Sequence, residues 1–73
     1  MTQFIQLRRG ADYITLGQLL KLTGLIGSGG ETKSFLAQAE VRVNDEREQR
    51  RGRKLHAGDC VHVNGRSFQI ADS

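Results

Sequence analysis

Proline and tryptophan are absent from this 73-residue chain, cysteine occurs once, and aromatics make up 5%. The lone Cys60 excludes an internal disulfide, and with it the bridge-stapled scaffold of many small secreted domains. No leading basic-plus-apolar stretch reads as a signal peptide, and no apolar run approaches the ~18 residues that cross a bilayer. A reducing cytoplasm is the expected setting. A chain this short, read as one domain over residues 1–73, buries a core of roughly fifteen to twenty side chains. Such a core leaves little room for a deep active site or a small-molecule pocket. There is no paired-carboxylate, Ser-His-Asp or Cys-His arrangement to defend as catalytic. His56 and His62 lack a second ligand pair at a metal-binding spacing, and Cys60 reads as a small strand residue. The expectation is a protein with no catalytic residue, no metal and no cofactor.

Charge is present, and its placement is informative. The net charge is +3 and the isoelectric point about 9.6. Residues 47–54, REQRRGRK, hold Arg47, Arg50, Arg51, Arg53 and Lys54 against one acid, Glu48. A charge run is often only a solvated face. Here, however, five cations in eight residues repel one another, and a polyanion would relieve that repulsion. Arginine dominates the run, and its planar fork suits bidentate phosphate contacts.

Ile5 and Leu7 alternate with polar neighbours and predict a strand over residues 3–8, although Phe4 interrupts the pattern. Thr15 can cap a helix over 16–23, whose apolar face is Leu16, Leu19 and Leu20 and whose stop is Gly24. Ser28 and Glu31 have the spacing of a capping box. Thr32, Phe35, Leu36 and Ala39 then predict a second helix over 29–39. Val41 and Val43 mark a half-buried strand with Arg42 and Asn44 facing outward. Residues 45–52 suit a turn or an irregular arm, and a short strand is expected over 53–55. Val61 and Val63 lead into Asn64-Gly65, a strong type I′ hairpin signal that sets Val61 opposite Phe68. Asp59 is expected to accept N–H bonds within its own turn.

Ser28, Gly29, Gly30 and Lys33 form a candidate anion site. Glycines admit a phosphate close to unpaired N–H groups at a helix start. A lysine in the first helical turn opposes the dipole unless an anion sits nearby. The competing reading is a flexible loop with one solvated lysine.

With LGQLLKLTG, GSGGETKSFL, VRVN and AGDCVHV in that order, the chain from about residue 15 to 63 resembles the RNA-binding domain of small-subunit ribosomal protein S-four. The SGG-x-x-K helix start and the RRGRKL arm look most like its small stand-alone bacterial members. The element order by itself gives a small α+β domain, two packed helices against a mostly antiparallel sheet; the resemblance implies that this is the alpha-L RNA-binding motif, with four to five short strands. It also implies that outward residues of the Val41–Val43 strand lie on the RNA side, which favours Arg42 and Asn44. Two departures stand out: Gly29 replaces a basic residue, and Asp45 stands where the family commonly has glycine.

The function expected from residues and resemblance together is non-enzymatic, monomeric binding of structured RNA through its phosphates, with ribosomal RNA or the ribosome as target. The residues concerned are Ser28, Gly29, Gly30, Lys33, Arg42, Asn44, Arg47, Arg50, Arg51, Arg53 and Lys54. The alternative is an adaptor whose basic surface meets an acidic protein or duplex DNA.

Overall fold

Thr15 sets the start of the first helix. Its hydroxyl accepts from the Gln18 N–H while the Gln18 side chain accepts from the Thr15 N–H, a reciprocal box that satisfies two donors. In the computed structural model, which describes residues 2–27 and 31–72, the elements are β1 (Thr2–Gln6), β2 (Ile14–Thr15), α1 (Leu16–Leu22), α2 (Thr32–Gln38), β3 (Val41–Val43), β4 (Glu46–Arg47), β5 (Lys54–Leu55), β6 (Cys60–Val63) and β7 (Arg66–Ala71). Helix α1 stops as predicted. Gly24 takes a φ of +77° and donates to the Lys21 carbonyl, and Leu25 donates to that of Leu20. This Schellman pair folds Ile26 back into the core.

Five strands form one sheet in the order β1-β7-β6-β3-β4, and β2 pairs with β5 in a second, two-stranded sheet. Among the described residues, β1 and β7 run parallel and the other strand pairs are antiparallel. The Asn64-Gly65 turn has φ of +48° and +87°, and Val61 lies opposite Phe68, as the hairpin signal required. One sheet face carries Ile5, Val41, Val43, Val61, Val63, Phe68 and Ile70 into the core. Leu16, Leu19 and Leu20 of α1, Leu36 of α2 and Leu55 join the same core. Phe4 does not break the β1 pattern, because it points to the outer face at 65% exposure.

The structure corrects several expectations. Helix α2 covers Thr32–Gln38, with Glu31 and Ala39 as its caps rather than inside it; the Gly29 and Gly30 start of the predicted 29–39 lies outside the described residues. Strand β1 covers Thr2–Gln6, and Leu7 continues its pairing through a single bond to the Ala71 carbonyl. Residues 45–52 are not all irregular: Glu46 and Arg47 pair with β3. Asn44 is not an outward strand residue. It and Asp45 have φ of +52° and +69°, which turns β3 directly into β4. Asp and Asn tolerate that left-handed region, so Asp45 can stand where glycine is common.

Candidate nucleic-acid interface

The arginine run is anchored at both ends. At one end the Glu48 N–H donates to the Val41 carbonyl, extending the β3–β4 pairing. At the other, Lys54 pairs with Thr15 and Leu55 with Ile14. Between them, the Leu16 and Gly17 N–H groups donate to the Arg53 and Arg51 carbonyls, both at 2.9 Å. These two N–H groups belong to the first turn of a helix and have no partner inside it. The arm's carbonyls supply that partner, which fixes its backbone to α1 and leaves the Arg51 side chain exposed.

Glu48 organises the arm from inside. It is 7% exposed, although acids are rarely buried unless paired. Its Oε2 accepts from the Gln49 and Arg50 N–H groups and from Arg50 Nε, while Oε1 accepts from Arg50 and Arg53 guanidinium nitrogens. The Arg50 guanidinium holds the carboxyl far below its usual range. Burial opposes this, and the Arg50 N–H and the Arg53 side chain reinforce it, leaving a pKa of about 2. The acid that looked like a partial neutraliser of the run is its brace. Its spacing, two residues before Arg50 and five before Arg53, was the available signal.

Gly17 allows the arm to lie close. A Cβ there would stand 3.3 Å from the Arg51 carbonyl oxygen and 3.6 Å from Thr32 Cγ2. Gly17, Thr32 and Arg51 therefore meet where α1, α2 and the arm converge. Gln18, Lys21 and Gly52 line the same cleft, about 290 Å³ in volume. Lys33 follows Thr32 in the first turn of α2 and is exposed. Glu31 accepts from the Gly27 N–H at 3.3 Å. Ser28, Gly29 and Gly30, and the capping box expected there, lie outside the described residues.

Not every candidate joins this cluster. Arg50, Arg51, Arg53 and Lys54 share the arm. Arg42 and Arg47 are direct partners across β3 and β4 on the outer sheet face, in line with His62 on β6. That face is opposite the helices, because the flanking Val41 and Val43 point into the core. Arg42 bonds Glu40 at 3.1 Å, which offsets part of the repulsion from Arg47. Asn44 holds turns together: its amide donates to Asp59 at 3.1 Å and its oxygen accepts from the Cys60 N–H at 3.0 Å. Burial pushes the Asp59 carboxyl up, but the His56 N–H and the Asn44 amide outweigh it and leave it lowered. Among the described residues, no acid lies within ion-pair distance of Arg47, Arg51 or Lys54. Among the same residues no cluster of His, Cys, Asp or Glu suits a metal ion, and no helix is long and apolar enough to cross a membrane.

A cationic loop clamped between a sheet edge and a helix start, on a two-helix mixed-sheet frame, defines a small α+β module that displays fixed positive charge. The chain belongs to the S4 domain family, whose model matches residues 5–71. It is 55% identical over 62 residues to the "Probable ribosome maturation protein RlbA" of Bacillus subtilis, covering 84% of this chain and 87% of that one. It is 36% identical over 58 residues to the "Putative RNA-binding protein YbcJ" of Escherichia coli, covering 80% and 83%. No solved structure matches it significantly.

Proposed function

We propose that this chain is a non-enzymatic RNA-binding protein that grips the phosphates of a structured RNA, with ribosomal RNA or an assembling ribosome as target. The observation that carries the reading is the arm itself. Glu48 and two α1 N–H groups hold its backbone, while Arg51 and Lys54 stay exposed and without an acid partner among the described residues. A backbone already held leaves less of the arm to order on binding, Glu48 also orders the Arg50 and Arg53 side chains, and each phosphate engaged releases counterions. The names of the two relatives point the same way.

Arg50, Arg51, Arg53 and Lys54 make the principal contact in this reading. Lys33 and the backbone of Ser28, Gly29 and Gly30 extend it along the start of α2. Arg42 and Arg47 act from the outer sheet face at the rim, and Asn44 contributes by holding the turn beside them. The protein works as a cytoplasmic monomer and needs no cofactor, metal or small-molecule substrate.

The test is a titration of a folded ribosomal RNA fragment at several salt concentrations, in competition with duplex DNA and heparin. The logarithm of affinity should fall with the logarithm of salt by about 0.7–0.9 per phosphate engaged. Replacing Arg51 by Gln should lower that slope by about one phosphate's worth. Arg51 is the better first target, because altering Arg50 or Arg53 also disturbs Glu48. A salt-independent affinity would refute the reading, and a preference for duplex DNA or heparin would favour the adaptor alternative.

A further inference from the structure

We infer that the groove beside Tyr13 receives one unpaired nucleotide of the same RNA, with its base stacked on the tyrosine ring. The inference rests on the RNA-binding reading and adds to it a site for a single-stranded base. The groove is about 620 Å³, a size that suits one nucleotide, and Leu7, Tyr13, Ile14 and Leu22 give it an apolar lining. Tyr13 and Leu22 are 43% and 64% exposed, and because they line the same groove they form one accessible apolar surface rather than two scattered residues. Arg8 and Lys21 also line the groove and place positive charge where the nucleotide's phosphates would run.

Two features connect the groove to the arm. Gln18 and Lys21 line both this groove and the cleft shared by Thr32, Arg51 and Gly52. Lys54, an arm residue, sets its Nζ over the Tyr13 ring at 5.0 Å, and the His56 ring lies 6.2 Å away at a tilt of 53°. Lys54 covers one face of the ring and does not line the groove, so a base entering the groove stacks on the part of the ring that Lys54 leaves open, beside a backbone held by the arm. Phosphate grip joined to base stacking is how proteins hold unpaired nucleotides. The occupant is an RNA base rather than an apolar peptide, because cations line the groove and continue into the arm.

Tyr13 is the only tyrosine and the chain has no tryptophan, so intrinsic fluorescence reports this ring alone. The full chain is titrated with two hairpins of identical stem, one fully paired and one carrying a single-nucleotide bulge. The bulged hairpin should quench Tyr13 and bind roughly 5- to 20-fold more tightly, toward the lower end of what one stacked base contributes. By gel shift, since these variants lack the fluorophore, Tyr13→Ala should abolish that preference, weakening the bulged hairpin more than the paired one, and Tyr13→Phe should retain it. Arg51→Gln should weaken both hairpins alike. Equal affinity of the wild-type protein for the two hairpins overturns the stacking site but leaves the phosphate grip standing, as does equal weakening of both by Tyr13→Ala. Failure to bind either hairpin overturns both readings. Concentration-dependent change in Tyr13 fluorescence without RNA would show that a second copy covers the groove, and would also overturn the site.

Discussion

Glu48→Gln keeps the shape of the side chain and removes its charge, so it separates arm order from arm charge. A carboxyl held at about 2 when folded, against 4.5 when unfolded, corresponds to about 3 kcal/mol of stability at neutral pH. The Arg50 side chain is 76% exposed, and solvent screens its share, so about 1–2 kcal/mol is expected. Because the folded value is the lower one, this stability is present above about pH 4.5 and is lost as pH falls toward 2. Thermal melts at pH 7 should show a drop of about 4–16 °C in the variant. The gap between variant and wild type should close as pH falls below 4. For RNA, two effects oppose each other. The variant's net charge rises from +3 to +4, since one of the eight acids is lost, and charge alone would tighten binding. Freeing the Arg50 and Arg53 side chains costs about 1–3 kcal/mol to reorder on binding, or roughly 5- to 150-fold in Kd. Weaker binding by the folded variant, measured below its melting temperature, is the expected outcome. Equal or tighter binding would refute the idea that Glu48 preorganises the arm.

Gly17→Val should destabilise by about 1–3 kcal/mol, because its side chain would push against the Arg51 backbone and Thr32; chemical denaturation measures this, and an RNA titration should show weakened binding too. Asn44→Ala should cost about 2 kcal/mol in the same denaturation assay, from two lost hydrogen bonds and because alanine tolerates the left-handed region less well than asparagine, and Asn44→Gly should recover part of it. Arg42→Gln should change the denaturation free energy by less than about 0.5 kcal/mol, since its pair with Glu40 is exposed, and should lower the salt dependence of RNA binding less than Arg51→Gln does.

Local chemistry was readable in advance. The Thr15 cap, the Gly24 stop, the Asn64-Gly65 hairpin and the buried valines of β3 and β6 all follow from short-range rules, and all are present. The parallel pairing of β1 with β7 was not readable, because the two strands come from opposite ends of the chain. Asn44 was misread for a related reason. Alternation put it on an outward strand face, but its amide is spoken for by Asp59 and Cys60, distant in sequence. Strand β2 escaped notice because two residues carry no periodicity.

Composition and spacing alone determined that this is a small α+β chain with a concentrated run of arginines, since hydrophobic period and turn chemistry act over a few residues. Whether those arginines would be a loose tail or a braced surface was decided only in three dimensions. Glu48 had to be buried beneath the loop, and the first turn of α1 had to lie near enough to bond its carbonyls. Both depend on long-range packing: Gly17 lets the arm approach, and the edge of β3 receives its other end.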